Sequence, residues 1–321
     1  MAAKLSSERI EQRKRNLEIA RVAFRELGGQ VINGFPLIDS EVYHTKNGIP
    51  YLKKPGVVLI SKPNTQIEGM RGFLKGFGDE LGFEQYVDDP QKLDHGAQLI
   101  KIAGQVCYAS FSKGRTWNVD ADNYIEDIKK QEHGSVLEHP NYSFLIYGVS
   151  RSWSHEEVRH RAGKAFSQLS QRYVSGRVLR FVERQEYQDV PELHERFEKG
   201  VEYANREYNE RTEILFNLQL RKQSRILSAE VKTDLKKKVQ QAARSVLPNE
   251  TETVLIDSGN GRAYQHTTNM RSGEHAETDM KELYFRLFLC MAIVEPLMFA
   301  DFEIQEYSDG TRGAQSIYKK P

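Results

Sequence analysis

Residues 142 to 173 read YSFLIYGVSRSWSHEEVRHRAGKAFSQLSQRY, and the fold turns on how this stretch divides. The first nine residues, YSFLIYGVS at 142 to 150, are rich in aromatic and β-branched side chains and predict a strand. SHEE at 154 to 157 has the Ser-x-x-Glu form of a capping box and predicts the start of a helix carrying Arg159 and Arg161. Beyond Gly163 the segment FSQLSQRY predicts a loop. Strand and helix meet here at a basic cluster, so the expected fold is a mixed α/β (α+β) one.

Working outward toward the amino terminus, NYIEDIKKQEHG at 123 to 134 predicts a helix ended by Gly134, and DHGAQLIKIAGQVCYASF at 94 to 111 has helical apolar spacing. GVVLIS at 56 to 61, between Pro55 and Pro63, has the length and composition of a strand and is taken as the start of the main domain, 56–321. Residues 1–55 form an amino-terminal extension with an amphipathic helix at 7 to 27, where Ile10, Leu17, Ala20, Phe24 and Leu27 share a face and Gly28-Gly29 stops it. Toward the carboxyl terminus, Pro191 to Pro248 brackets a charged, mainly helical region, expected as two helices broken near LSAEVKTD. The final helix puts Met280, Leu283, Tyr284, Leu287, Met291 and Val294 on one side and ends at Pro296.

Bulk composition excludes several classes. With 46 Lys plus Arg against 45 Asp plus Glu, the chain is not a polyelectrolyte, so any anion binding is local. The longest apolar run, LYFRLFLCMAIV, has twelve residues and contains Arg286, too short and too charged to span a bilayer, which takes about 20. It is expected as a buried core helix, and the amino terminus lacks the apolar segment of a signal peptide, so a cytoplasmic protein is expected. Cys107 and Cys290 lie in apolar surroundings without metal or redox spacing and are expected as core thiols.

Local charge is less even. Between Arg151 and Arg180, seven cations (Arg151, Arg159, Arg161, Lys164, Arg172, Arg177 and Arg180) face two acids, Glu156 and Glu157. A guanidinium fork matches phosphate oxygens two at a time, and Ser167, Gln168, Ser170 and Gln171 add neutral donors, so a phosphate-bearing ligand is the natural counterpart. Two further islands repeat the theme, ARSVLP with Arg244 and GNGRAYQHTTNMRSGEH with Asn260, Arg262, His266, Arg271 and His275. If the latter is helical, Arg262 with His266 and Arg271 with His275 each share a face. GNG is no GxGxxG fingerprint after a strand, so a Rossmann site is disfavoured. His133, Glu138 and His139 in HGSVLEH lack the spacing of a zinc site, and Ser170 lies in no GxSxG elbow, so no metal and no serine nucleophile are expected. A single-stranded nucleic-acid binder, with Phe166, Tyr173 and Tyr264 stacking bases, is the competing class outside enzymes.

Taken together, RHR at 159 to 161, SQLSQRY at 167 to 173, SVLEH at 135 to 139 and the closing island NGRAYQHTTNMRSGEHAE resemble the flavin-dependent thymidylate synthases, over roughly Val57 to Ile304. The resemblance implies a subunit with a central sheet flanked by long helices, assembled as a homotetramer with active sites shared between chains. It implies FAD as cofactor, NADPH and methylenetetrahydrofolate as co-substrates and dUMP as substrate. By motif position it implies flavin contacts from Ser135, Glu138, Arg159, His160, Arg161, Gln168, Asn260, Arg262, His266 and His275. It likewise implies nucleotide contacts from Arg151, Glu156, Gln168, Leu169, Ser170, Gln171, Arg172, Arg244 and Arg271. Arg271 is assigned the catalytic task of stabilising negative charge on the pyrimidine, with no protein nucleophile required. Eight residues separate RHR from Ser170, one more than the family pattern, with Lys164 among them as an added cation near flavin or folate. That departure leaves UMP or dCMP, and a methyl or hydroxymethyl product, as alternatives.

Overall fold

A computed structural model describes residues 5–174, 178–221 and 229–318. In chain order, α1 (Ser7–Glu26) leads into β1 (Gln30–Ile32), β2 (Phe35–Ile38), β3 (Val42–His44), β4 (Pro50–Leu52) and β5 (Gly56–Ser61). The helices α2 (Arg71–Lys75), α3 (His95–Val106) and α4 (Ala121–Lys130) precede β6 (Asn141–Ser150), α5 (Arg151–Glu157) and β7 (Lys164–Gln168). There follow β8 (Phe181–Val182), α6 (Gln185–Gln188), α7 (Pro191–Arg221) and α8 (Ala229–Ala243). The chain closes with β9 (Glu252–Asn260), α9 (Gly261–Arg271), α10 (Thr278–Val294), α11 (Pro296–Phe299), β10 (Phe302–Glu306) and β11 (Arg312–Ser316).

The organising strand is β6. Its residues alternate, with Tyr142, Phe144 and Ile146 buried and Ser143, Leu145 and Tyr147 half-buried, as a pleat packed on one side demands. It sits inside a six-stranded sheet ordered β1-β2-β5-β6-β9-β7, antiparallel at every pairing. On the buried face lies α10, whose Met280, Leu283, Tyr284, Leu287 and Met291 join Phe144, Ile146 and Leu255 in the core. Each such side chain withdrawn from water contributes roughly 1.5–3 kcal/mol, enough to hold a helix that carries Arg286. That guanidinium is accommodated by Glu282 one turn away, at 2.8 Å.

The amino-terminal segment shares this core. β1 and β2 continue the main sheet past β5, so residues on both sides of position 55 belong to one sheet. α1 packs on α10 and buries Ala20, Ala23 and Phe24, together with Arg13, which pairs with Asp122 and Glu126 of α4. α7 and α8 form the expected pair of long helices; residues 227 and 228 of the expected break lie outside the described residues.

Several local expectations are corrected. Ser150 rather than Ser154 caps α5: its Oγ accepts from the Trp153 amide at 3.0 Å, whereas Ser154 lies mid-helix and donates to the Arg151 carbonyl. The helix therefore ends at Glu157, and Arg159 and Arg161 sit in the turn after it. FSQ belongs to a strand, because β7 pairs along β9 from Lys164 opposite Gly259 to Gln168 opposite Leu255. α4 stops at Lys130, before Gly134, since Glu132 adopts φ +57 and breaks the helical path. α3 likewise stops at Val106, which leaves Cys107 exposed at the turn, while Cys290 is buried as expected.

The cap assignment has a measurable consequence. Ser150→Ala should lower stability by about 1 kcal/mol. Ser154→Ala should be near neutral, since back-bonding serines within a helix add little. Urea midpoints of the two variants distinguish them, and equal losses would count against Ser150 as the cap.

Candidate active site

β9 is the ruler of the site. At its start the Arg151 amide donates to the Thr251 carbonyl at 3.0 Å and the Leu169 amide to the Val254 carbonyl at 2.8 Å. At its far end the Asn260 amide donates to the Gly163 carbonyl at 3.0 Å. With about 3.3 Å of rise per residue, the span from Val254 to Asn260 is ~20 Å, the scale of an extended nucleotide. Two groups of donors therefore stand at the two ends of one strand, with α5 beside them.

The first end holds Arg151, Arg244 and the turn after β7. The Arg172 amide donates to Ser170 Oγ at 3.3 Å and the Tyr173 amide to the Ser170 carbonyl at 3.1 Å, which makes 170–173 a tight turn. Arg172 is exposed above the Tyr173 ring, 5.7 Å from its centroid. Burial and then the charge of Arg244 lower the Arg151 pKa, which sets the two guanidiniums within electrostatic reach of each other, and neither has an ion-paired carboxylate among the described residues. Gln168 turns inward, and its Nε2 is buried without a partner among the described residues. Gln171, three residues on, is half-buried, and Arg177 lies outside the described residues.

The second end carries the RHR turn and the start of α9. Asn260 caps α9, its Oδ1 accepting from the Ala263 amide at 2.9 Å. Two residues on, in the first turn of the helix, Arg262 pairs with Glu138 at 2.6 Å, which brings the SVLEH segment with Ser135 beside the helix. Ser135, His133, Cys107 and Arg262 line a cleft of about 420 Å³. His266 is exposed on the same helix as Arg262, as the spacing predicted. His275 is exposed beyond the end of α9, so it does not share a helical face with Arg271.

Arg271, the last residue of α9, faces α5. Its Nε donates to His160 Nε2 at 2.8 Å and its Nη1 to Glu156 Oε2 at 3.0 Å. Because Nε2 accepts, the imidazole proton sits on Nδ1. Burial, together with the charges of Arg271 and Lys164, lowers the His160 pKa despite the opposing pull of Glu157, so the ring is neutral at neutral pH. The arrangement is a half-buried guanidinium clamped at two points, with further N–H donors left to face a ligand.

Arginines outside the site that lack an ion pair among the described residues, Arg15 on α1, Arg115 and, on α7, Arg206, are scattered over different parts of the chain. Arg13, Arg180, Arg184, Arg286 and Arg312 each pair with a carboxylate. Arg151, Arg159, Arg161, Arg172 and Arg244 have no carboxylate within ion-pair distance among the described residues. Guanidiniums without carboxylate partners near one strand have the donor chemistry that an anion would need.

One cation leaves this group. Lys164, expected near the ligands, is fully buried and bonded to Glu157 and Asp257, both at 2.9 Å, and to the Tyr284 hydroxyl at 3.1 Å. Burial raises the Asp257 pKa even with this ammonium beside it. Sequence reading passed over this cluster; its one visible signal was an acid, Asp257, at a core-facing position of an apolar strand. Among the described residues no group of three or more His, Cys, Asp or Glu side chains is placed to hold a metal, and no helix is long and apolar enough to cross a membrane.

Comparison with known proteins adds three findings. The family described as thymidylate synthase complementing protein matches residues 91–297. The flavin-dependent thymidylate synthase of Mycolicibacterium gilvum is 39% identical over 223 residues, covering 70% of this chain and 86% of that one. That of Mycobacterium avium is 40% identical over 226 residues, with the same coverage of each chain. Among solved structures, a UMP/dUMP methylase from Streptomyces cacaoi, bound with 5-Br dUMP, superposes with a TM-score of 0.52 at 16% identity over 77% of this chain and 93% of that one. At that identity the likeness speaks for the fold.

Proposed function

This chain belongs to the flavin-dependent thymidylate synthase family, and from that premise we propose that it methylates carbon 5 of dUMP to give dTMP, with FAD as cofactor, NADPH as reductant and methylenetetrahydrofolate as carbon donor. The observation that carries the reading is the set of guanidiniums along β9 without carboxylate partners, next to an Arg271 clamped by His160 and Glu156. A homotetramer with shared sites belongs to the same proposal.

The residues present fit a flavin dinucleotide. Arg159 and Arg161 have no acid partner and suit its diphosphate, Arg262 and Asn260 stand at the start of α9, and the orphaned Gln168 Nε2 awaits an acceptor. Ser135, Glu138, His160, His266 and His275 complete the proposed shell. Reduced by NADPH, the bound flavin supplies the hydride while the folate supplies the carbon.

The chain's own residues hold and polarise the nucleotide. Ser170, Gln171 and Arg172, with Arg151 and Arg244, take the 5′-phosphate, while Leu169 fixes the turn through its bond to Val254. Fixing the phosphate fixes the ring, and proximity then supplies much of the rate. Arg271 faces the N3–O2 edge and stabilises the negative charge that makes carbon 5 nucleophilic.

Arg151→Ala and Arg244→Ala should each raise KM for the nucleotide about 10- to 100-fold, the worth of one charge-assisted hydrogen bond, and leave kcat within about threefold. Steady-state kinetics with saturating flavin test this; unchanged KM in both would remove them from the phosphate site. The reaction itself is tested anaerobically. Flavin absorbance should bleach on adding NADPH and return on adding methylenetetrahydrofolate with dUMP, with dTMP as product. UMP and dCMP are run alongside, and turnover of either in preference to dUMP would overturn the substrate assignment. Failure to bind flavin would overturn the enzyme reading.

A further inference from the structure

Glu157 and Lys164 bracket the RHR turn, one closing α5 and the other opening β7. Their side chains are 1% and 0% exposed and meet at 2.9 Å. All three N–H groups of the ammonium are engaged, on Glu157 Oε1, Asp257 Oδ2 and the Tyr284 hydroxyl, and Tyr284 donates back to Glu157 at 2.8 Å. A single buried cation thus joins α5, β7, β9 and α10 beneath the turn.

Main-chain bonds link the turn to its own neighbours, among them His160 N to the Glu157 carbonyl at 3.0 Å, Arg161 N to the Arg159 carbonyl at 3.0 Å and Lys164 N to the Arg161 carbonyl at 3.3 Å. It reaches α9 and its cap through Asn260 N, which donates to the Gly163 carbonyl at 3.0 Å, and Arg271 Nε, which donates to His160 Nε2 at 2.8 Å, while the Arg159 and Arg161 side chains bond nothing among the described residues. Gly163 adopts φ +70, and a Cβ there would stand 2.6 Å from Asn260 Nδ2, so the return into β7 admits little else. Buried ion pairs can often be exchanged for apolar residues of like volume without loss of stability, so packing does not by itself call for this one. What the pair has that apolar packing lacks is direction.

We infer that the Glu157–Lys164 ion pair is a latch that closes the 158–163 turn, positioning Arg159, His160 and Arg161, and, through His160 Nε2, Arg271. Glu157 and Lys164 are positioning residues, since neither reaches the surface where ligands bind. The flavin and kinetic consequences rest on the function proposed above; the closure of the turn does not.

The test uses the full-length triple variant Glu157→Gln, Lys164→Met, Asp257→Asn, which removes the ammonium and both of its carboxylates together, so that no buried charge is left without a partner. In the flavin-free protein, hydrogen exchange of peptides covering 158–163 should quicken about 10-fold, with β6 and α10 unchanged. FAD titration followed by flavin fluorescence should give about 10-fold weaker binding. At saturating FAD, kcat should fall about 10-fold with KM for dUMP unchanged, because the phosphate donors lie at the other end of β9. A folded triple variant with parental exchange and parental flavin affinity overturns the latch. Should it fail to fold, Glu157→Asp keeps the charges and shortens the reach. A few-fold faster exchange confined to 158–163 then supports the latch, and parental exchange overturns it. A parent that binds no FAD defeats the flavin reading, and the exchange measurement still decides the latch.

Discussion

Arg271→Ala lowers kcat about 10²- to 10³-fold, the usual loss when a group aimed at developing charge is removed, while flavin content and melting temperature stay near parental. The expectation follows from the clamp. A guanidinium has five N–H donors; Nε is spent on His160 and one on Glu156, leaving a directed remainder for the pyrimidine edge. Arg271→Lys keeps the charge but loses the fork and should recover little. The clamp also sets a pH dependence. His160 accepts from Arg271 only while neutral, and burial holds its pKa below the ordinary value of about 6.5. Protonation would turn the acceptor into a second cation facing Arg271, so kcat should fall on the acid side below that value, and His160→Gln should abolish that limb. Parental kcat in Arg271→Ala would strip the residue of its role.

Lys129→Met costs about 3–5 kcal/mol of stability, because it leaves the carboxylate of Asp301 buried without its cation. Both side chains are 1% exposed, and Lys129 also donates to the Met298 carbonyl, so the pair ties α4 to the segment between α11 and β10. Burial raises the Asp301 pKa, but the charge of Lys129 with bonds from Lys129 and Ser316 outweighs it and leaves the pKa below the ordinary value. A carboxyl depressed in the folded state stabilises fully above its unfolded pKa, about 3.9, and loses that contribution as pH falls through its folded value. The gap between parent and variant should therefore be widest near neutrality and narrow in acid. Urea melts at pH 7 and at about pH 2, well below the unfolded carboxyl value, measure it; a loss under 1 kcal/mol at pH 7 would mean the site relaxes to admit water.

What could be read from the residues follows a physical division. α1 and α10 were legible from apolar residues at helical spacing, β6 from its aromatic and β-branched composition, and the α7–α8 region from its charged make-up between two prolines, signals carried within each segment's own length. The motif residues were legible as candidates for anion binding, since arginines with neutral donors suit phosphate oxygens wherever they fold.

β7 was read as a loop for the opposite reason. Lys164 holds a core-facing position in it, and a lysine there argues against a strand until its partners are known. Those partners come from residues 7, 93 and 120 positions away, on α5, β9 and α10. The capping box misled similarly: SHEE satisfies the pattern, but β6 already ends in Ser150, one residue before the helix begins, and Glu157 is drawn inward by Lys164. Sequence alone thus determined the helices and strand with strong internal periodicity, the family and the inventory of candidate donors. Tertiary structure decided which cations are buried with acids and which are left without them, because a charge's role depends on the carboxylates that the fold, and not the chain order, brings beside it.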